Sequence, residues 1–247
     1  MIESPGRTLV CSVVFLDIVE YARKPVAAQL QAKQRCNELL AAALEPVAPR
    51  DRIVLDTGDG AAIAFLGDPE DALLVAMALR GAARDRGAAE LTLRIGVNLG
   101  PVRLVRDLNG QVNIIGDGIN VAQRVMAFAE PGQLLVSRSF YEVVSRLSQD
   151  YAGLFSYVGA RTDKHVREHE VYAVGDSAAA ARRLADTASR RTASGWRAAG
   201  WVAALAQTGP FGMQRLALLA APLVFALFVG AGAALRVALH RPGAAPQ

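Results

Sequence analysis

Residues 52–65 read RIVLDTGDGAAIAF, and in this segment two short apolar runs flank a turn. The runs RIVL and AAIAF have the length and apolar content of strands, and the TGDG between them has the composition of a hairpin turn. Helical patterns lie on both sides of this hairpin, at 25–47 and at 69–84. A hairpin enclosed by two helices predicts the middle of a βαββαβ unit.

The pattern outside the hairpin completes this unit. A β-branched apolar run, Thr8–Leu16, precedes the first helix and ends at Asp17. Further strands are predicted at 91–97, 102–106, 111–115, 134–136, 154–158 and 169–174, and further helices at 117–127 and 139–147. The order predicts an α+β fold, with a ferredoxin-like βαββαβ core that is extended by the later strands and helices.

Composition narrows the functional classes. The chain has 247 residues, of which 52% are hydrophobic, and a net charge of +4. The first 150 residues contain no basic block, and arginines collect only after Arg161, so no nucleic-acid partner is expected. Cys11 and Cys36 lie in apolar stretches without the spacing of a zinc site, which predicts buried thiols in a reducing compartment.

Two aspartates are predicted to converge at one edge of the core. Asp17 ends the first strand and Asp59 occupies the hairpin turn, and these strands are neighbours in a βαββ core. Carboxylates together with phosphate oxygens are the ligands that Mg²⁺ or Mn²⁺ prefers. Taken singly, Asp17 could equally cap a helix and Asp59 could be an ordinary turn residue. A triphosphate could be held by the backbone amides that follow the first strand, those of Val19, Glu20, Tyr21 and Ala22.

A third polar element lies on the helix predicted at 117–127. Asn120 and Arg124 are four residues apart, so they share one face of that helix. An amide beside a guanidinium can hold a sugar oxygen and a developing phosphate charge. On its own, such a pair is also compatible with a simple surface hydrogen bond.

In this order and spacing, the three elements together resemble the class III adenylyl/guanylyl cyclase catalytic domain. The resemblance covers about Thr8–Val174. It lies in four motifs: F-x-D-I at Phe15–Ile18, G-D-G-x-x-x-x-F at Gly58–Phe65, G-x-x-x-N-x-A-x-R at Gly116–Arg124, and E-P-G-x-x-L-V-S at Glu130–Ser137.

The resemblance implies a role for each of these residues. Asp17 and Asp59, helped by the Ile18 carbonyl, would hold two Mg²⁺ (or Mn²⁺) ions that activate the ribose 3′-hydroxyl and bind the phosphates of ATP or GTP. Asn120 would orient the ribose, and Arg124 would stabilise the transition state. The family divides these two pairs between two domains. One chain carries both pairs, so the resemblance implies a head-to-tail homodimer.

The positions that recognise the base depart from the family pattern. Adenylyl cyclases carry a lysine four residues before the hairpin aspartate and an aspartate seven before the helix asparagine, where this chain has Leu55 and Asn113. The glutamate typical of guanylyl cyclases is absent from the first position as well. Asn113 fits the adenine edge and favours ATP, but a flipped amide could serve guanine, as could Asp56 across a bulge. In the last hairpin the family's Lys-Gly motif is altered, and Lys164 or Arg167 would reach the terminal phosphates.

The last third of the chain predicts a membrane anchor. Leu216–Leu235 carries no charge and, as a helix, is long enough for the roughly 30 Å core of a bilayer. We expect a single-pass protein of the inner (cytoplasmic) membrane, with its catalytic domain facing the cytoplasm, where the substrate is, and no signal peptide. The predicted parts are a cyclase domain at 1–175, an Ala/Arg-rich linker that could hold an interfacial helix at 176–214, a transmembrane helix at 215–236, and a short tail at 237–247.

Three other classes compete with an active cyclase. A catalytically silent cyclase-like domain is suggested by Leu55 and Asn113, although all the proposed metal ligands and transition-state residues are present. A diguanylate cyclase of the GGDEF kind shares the βαββαβ core, but the turn at 57–60 lacks that signature. A structural membrane adaptor would have no need of the same polar residues.

Overall fold

The computed structural model describes residues 8–85 and 91–176. The predicted transmembrane helix at 215–236, the tail at 237–247, and the predicted linker apart from Asp176 lie outside the described residues. Within the described ranges, no helix is long and apolar enough to cross a membrane.

The described residues form one sheet with helices packed on both faces. The strands are β1 (Thr8–Ile18), β2 (Arg52–Asp56), β3 (Gly60–Phe65), β4 (Leu93–Arg106), β5 (Val112–Ile115), β6 (Leu134–Ser137), β7 (Phe155–Thr162) and β8 (Glu168–Val174). The helices are α1 (Val26–Leu44), α2 (Pro69–Asp85), α3 (Asp117–Ala127), α4 (Arg138–Val144) and α5 (Gln149–Ala152). Short 3₁₀ helices occur at Tyr21–Arg23 and Pro49–Asp51.

The sheet has the strand order β2-β3-β1-β4-β6-β8-β7, and β5 pairs with β4 outside this path. β1 pairs antiparallel with both β3 and β4, which is the arrangement of two interlocked βαβ units. The predicted βαββαβ core is therefore confirmed. β6 joins it in parallel with β4, and the β7–β8 hairpin continues the sheet on that side.

Alternation along β1 determines which face of the sheet each side chain takes. Leu16 packs in a cluster with residues of α1 and α2, whereas Phe15 packs in a second cluster with Ala122 and Met126 of α3. Asp17 has the parity of Phe15, so it lies on the face that α3 covers.

The strand β4 is longer than the sequence predicts. Two separate strands are expected at 91–97 and 102–106, yet the chain stays extended through Gly100-Pro101. On one side β4 pairs with β6 at Ile95–Val97 and then with β5 at 103–106. Pro101 lies between these two partners, so its missing N–H costs no ladder hydrogen bond on that side.

The last hairpin also differs from the prediction. β7 extends to Thr162, beyond the strand expected at 154–158, and α5 is a one-turn helix that the sequence pattern does not predict. The strand contains an irregularity between Tyr157 and Gly159, where Gly159 has a φ of 112°. This glycine interrupts the alternation on which a strand prediction depends.

Two glycines allow close approaches that build the polar end of the sheet. A Cβ on Gly96 of β4 would lie 2.2 Å from the backbone nitrogen of Met126, so α3 packs directly on the strand. A Cβ on Gly60 would lie 1.9 Å from the carbonyl oxygen of Leu16, so the hairpin turn closes tightly on the end of β1. The second approach brings the turn that carries Asp59 next to Asp17.

Candidate active site

Asp17 lies at the end of β1 and is only 8% exposed. It stands opposite Gly60 of β3 on one side and opposite Arg94 of β4 on the other. Arg94 Nε donates to Asp17 Oδ1 at 3.0 Å, and Arg94 Nη2 donates to the second carboxylate oxygen. The nearly buried carboxylate is therefore balanced by one guanidinium that holds both of its oxygens.

Asp59 lies beside this pair, in the exposed turn between β2 and β3. Its carbonyl oxygen accepts a hydrogen bond of 2.9 Å from the amide of Ile18, which ties the turn to the end of β1. The pKa of Arg94 is raised, first by its hydrogen bond to Asp17 and then by the charges of Asp17, Asp59 and Glu130. Arg94 is thus in contact with one carboxylate, Asp17, and is influenced by the charges of two more.

Sequence reasoning missed Arg94. The available signal was an arginine placed between Leu93 and Ile95, inside an otherwise apolar strand. A charge in such a position needs a partner on the same face of the sheet, and Asp17 supplies it.

The donor set fits a divalent cation that is completed by its substrate. Asp17 and Asp59 offer hard oxygen ligands on adjacent segments, and Ile18 lies between them in the chain. Among the described residues, no group of three or more His, Cys, Asp or Glu side chains could hold a metal by itself. The protein would therefore leave coordination positions to water and phosphate oxygens, as Mg²⁺ sites commonly do.

Of the backbone amides predicted to hold phosphate, one already donates a hydrogen bond within the protein. The amide of Val19 donates to the carbonyl of Thr92 at 2.9 Å. Glu20 has a left-handed backbone with φ 57°, and a three-residue 3₁₀ helix begins at Tyr21. Within the described residues, the amides of Glu20, Tyr21 and Ala22 donate no hydrogen bond. Three of the four predicted donors can therefore meet a phosphate.

The structure places Asn120 and Arg124 on the same face of α3, as predicted. Asn120 is exposed, whereas the Arg124 side chain is 24% exposed and leans on the loop between β7 and β8. Arg124 Nη2 lies 3.2 Å from His165 Nε2, and Arg124 Nε lies 3.8 Å from Asp163 Oδ2. Asp163 is a further polar residue that the sequence reasoning did not single out.

The two cations predicted to reach the terminal phosphates differ in their surroundings. Arg167 Nη1 donates to Asp117 Oδ1 at 2.7 Å, and this hydrogen bond raises the pKa of Arg167. Lys164 is exposed and makes no ion pair with another described residue. Lys164 is therefore the cation of this loop that is free to meet an anion.

The three predicted base-contacting residues line one open cavity of about 1210 Å³ between β2 and the β4–β5 hairpin. Leu55 also packs against the apolar cluster under α3 and offers only hydrocarbon. Asp56 accepts hydrogen bonds from Lys33 Nζ at 2.8 Å and from the amide of Gly58 at 2.7 Å. The Oδ1 atom of Asn113 accepts from the amide of Ile114 at 2.7 Å, which leaves its NH₂ group as the free end.

Within one protomer, the residues that Arg124 contacts lie several strands away from the strand that carries Asp17. Asp17 is on β1, whereas the partners of Arg124 are on the loop that joins β7 and β8. β4 and β6 separate β1 from β8 in the sheet, and these three steps between strands span roughly 14 Å.

Comparison with known proteins finds sequence matches over part of the chain and solved structures with the same fold. The family described as the adenylate and guanylate cyclase catalytic domain matches residues 69–181. A Rhizobium meliloti (strain 1021) protein named "Putative adenylate cyclase 3" is 38% identical in an alignment of 108 residues that covers 41% of this chain. The matched segment spans only 17% of that relative.

Solved structures show the same fold. The adenylate/guanylate cyclase/hydrolase from Silicibacter pomeroyi is 24% identical, with a TM-score of 0.56 over 70% of this chain and 100% of that one. The adenylyl cyclase CyaB from P. aeruginosa is 20% identical, with a TM-score of 0.54 over 69% and 96% of the two chains. The guanylate cyclase domain of RhGC from Catenaria anguillulae, in complex with GTP, is 19% identical, with a TM-score of 0.55 over 68% and 98%. Over part of its length the chain is therefore similar to adenylate and guanylate cyclase catalytic domains, and it shares their fold.

Proposed function

We propose that this chain is a nucleotidyl cyclase that converts ATP into 3′,5′-cyclic AMP and pyrophosphate. The observation that carries the proposal is the placement of Asp17 and Asp59 on adjacent segments, around the single guanidinium of Arg94. A divalent cation can bridge two such carboxylates and the oxygens of a polyphosphate.

Each polar group has a distinct part in this reaction. Asp17 and Asp59, with the backbone at Ile18, would hold two Mg²⁺ or Mn²⁺ ions, which supply Lewis acidity to the 3′-hydroxyl and the phosphates. Arg94 neutralises Asp17 and can also attract phosphate oxygens. Asn120 orients the ribose, and Arg124 stabilises the charge that develops as the 3′-oxygen attacks the α-phosphate and pyrophosphate leaves.

The active form is a head-to-tail homodimer. Asp17 and Asp59 lie at and beside the end of β1, whereas Arg124 contacts the loop between β7 and β8, several strands away in the sheet. A second copy that presents its α3 to the carboxylates of the first would complete a site, and by symmetry the dimer would have two such sites.

ATP is the favoured substrate because of the surroundings of Asp56. The Watson–Crick edge of guanine has two donors, N1 and N2, which need an acceptor such as a carboxylate. The carboxylate of Asp56 is paired with Lys33 of α1, on the opposite face of β2 from Leu55. GTP is the second candidate, because the free NH₂ group of Asn113 can donate to guanine O6 as well as to adenine N1.

We also propose that the apolar segment at 216–235 anchors the chain in the inner membrane, with the cyclase domain on the cytoplasmic side. Support comes from the sequence: the segment contains no charge and is long enough to cross the hydrocarbon core of a bilayer. Alkaline carbonate extraction of membranes tests this proposal. Release of the full chain into the soluble fraction would contradict it.

The test of the activity is product formation by the full chain in detergent, with ATP or GTP and with Mn²⁺ and then Mg²⁺. We expect cyclic AMP, and we expect Asp17→Asn to abolish it while Glu45→Gln, an exposed change at the end of α1, does not. Nucleotide binding without any product, from a folded dimer, would replace the proposal by a silent nucleotide-binding domain.

A further inference from the structure

The loop between β7 and β8, residues 163–167, contacts α3 at two places. At one place, the guanidinium of Arg124 lies against His165 and Asp163, at 3.2 Å and 3.8 Å. At the other, Arg167 pairs with Asp117 at the start of the helix, at 2.7 Å. The loop therefore follows α3 for two turns.

The face of α3 that meets this loop is the face with the proposed ribose and phosphate contacts. Asp117, Asn120 and Arg124 occupy positions i, i+3 and i+7, which align on one side of a helix. The two contacts of the loop consequently bracket Asn120. A change in this loop would therefore affect both Asn120 and Arg124, the residues of α3 that are proposed to contact the substrate.

The carboxylate of Asp163 is itself held rigidly. It accepts hydrogen bonds from the amides of His165 at 2.8 Å and Arg167 at 3.1 Å, and it lies 3.1 Å from Nε2 of His169. The Asp163 side chain is 6% exposed and that of His169 is 7% exposed. The hydrogen bond from His169, followed by those from the two amides, lowers the pKa of Asp163 to about 2, so this group is ionised at neutral pH.

We propose that Asp163 is a positioning residue, which holds the Arg124 guanidinium in the orientation that the cyclisation transition state requires. This inference rests on the proposed cyclase function. Arg124 has a long side chain with several rotatable bonds, and a fixed anion beside it restricts the guanidinium before substrate arrives. At 3.8 Å the contact is an ion pair and not a hydrogen bond, so it leaves the Nε donor of Arg124 available to phosphate oxygens.

Asp163 could either orient Arg124 for the transition state or hold it away from the substrate, and these two roles predict opposite effects on the rate. If the carboxylate sequestered Arg124 away from substrate, its removal would raise the rate. If it orients Arg124 for the transition state, its removal lowers kcat and leaves KM nearly unchanged, because the lost interaction is made only as charge develops.

The test compares Asp163→Asn, Asp163→Glu and Glu168→Gln in the full chain. Glu168 is an exposed acid at the start of β8 and makes no ion pair with another described residue, so it is the matched control. We expect Asp163→Asn to lower kcat by about tenfold or more with KM within about twofold, Asp163→Glu to recover part of the loss, and Glu168→Gln to change neither. An unchanged or raised kcat in Asp163→Asn would overturn the inference.

A second readout separates this inference from the proposed function. The Nε–H signal of Arg124 in a ¹H–¹⁵N spectrum, assigned by its loss in Arg124→Lys, reports the contact without any turnover. We expect Asp163→Asn to shift this signal and speed its exchange with water, and Glu168→Gln to leave it in place. If the wild-type chain made no cyclic nucleotide but this shift occurred, the proposed function would fail while the contact stood. An unshifted signal would refute the role of Asp163 whatever the activity.

Discussion

Arg94 stands directly opposite Asp17 across β4 and β1, and its guanidinium holds both oxygens of that carboxylate. The Asp17 side chain is 11% exposed and that of Arg94 is 34% exposed. The pair therefore joins a nearly buried anion to a cation that reaches solvent. A divalent cation that binds Asp17 would therefore compete with Arg94 for the carboxylate oxygens.

Removal of Arg94 should destabilise the domain, because it leaves a nearly buried carboxylate without its partner. We expect Arg94→Gln to lower the free energy of unfolding by about 2 kcal/mol, less than for a fully buried pair because Arg94 is partly screened by water. Urea denaturation measures this loss. Because the variant lacks the guanidinium that competes for Asp17, Mn²⁺ should raise the melting temperature of Arg94→Gln more than that of the wild type.

The control for this prediction is Arg103→Gln, on the same strand. Arg103 is exposed and donates to the hydroxyl of Thr8. It should cost well under 1 kcal/mol. Equal stability of the two variants would contradict the pairing of Arg94 with Asp17, and equal Mn²⁺ shifts would contradict competition between Arg94 and Mn²⁺ for that carboxylate.

The Asp56–Lys33 pair should make a small contribution to stability that depends on pH. The pKa of Asp56 is lowered from its usual 3.8, first by the hydrogen bond from Lys33 and then by that from the Gly58 amide. Since the folded pKa lies below the unfolded one, the contribution is complete above about pH 4 and is lost as pH falls through the folded pKa.

We expect Asp56→Asn to cost less than about 1 kcal/mol at pH 7, because Asp56 is 65% exposed, and to cost nothing at a pH below the folded pKa. Denaturation curves across this pH range provide the measurement. In a Lys33→Met background the same change should cost less, as a double-mutant cycle would show. A cost that stays constant with pH would exclude the ion pair as its source.

Base preference should respond to the two positions that depart from the family pattern. Leu55 and Asn113 line the same cavity, so Leu55→Lys with Asn113→Asp would place a donor and an acceptor there. We expect the ratio of kcat/KM for ATP over GTP to rise by about tenfold or more in the double variant. An unchanged ratio would indicate that the base does not enter this cavity.

Arg80 of α2 should be important for folding and not for chemistry. It is 5% exposed and donates to the carbonyls of Val174 and Gly175 and to Asp176, the last described residues of the domain. Arg80→Met would leave these carbonyls unpaired, and we expect a loss of about 2–3 kcal/mol in unfolding free energy with kcat intact. The half-exposed Arg84, changed in the same way, should cost less. A greater cost at Arg84 would contradict the burial argument.

The fold followed from the sequence because its signals are local. The hairpin at 52–65 and the helices around it have clear periodicity, and the structure has them nearly where they were predicted. The long strand β4 was not predictable in the same way. Whether a chain stays extended through Pro101 depends on which strands lie beside it, and a single sequence does not contain that information.

From the sequence alone, candidate residues could be proposed where cyclase chemistry would need a particular residue type, as at Asp17, Asp59, Asn120 and Arg124. Arg94 and Asp163 were not predicted from the sequence because their contacts join residues that are far apart in the chain. Arg94 and Asp17 are 77 residues apart, and Asp163 and Arg124 are 39 residues apart. Such contacts depend on strand register and on the path of a loop. Neither leaves a periodic trace in the sequence.

In the proposed dimer, each active site is shared between two copies of the chain. Mixing two inactive variants, Asp59→Ala and Arg124→Ala, under conditions in which subunits exchange tests this sharing. We expect each variant alone to form no cyclic nucleotide and the mixture to recover up to roughly a quarter of wild-type activity, since half of the dimers would be heterodimers with one intact site each. A mixture that stays inactive while both variants dimerise and exchange would exclude a shared site.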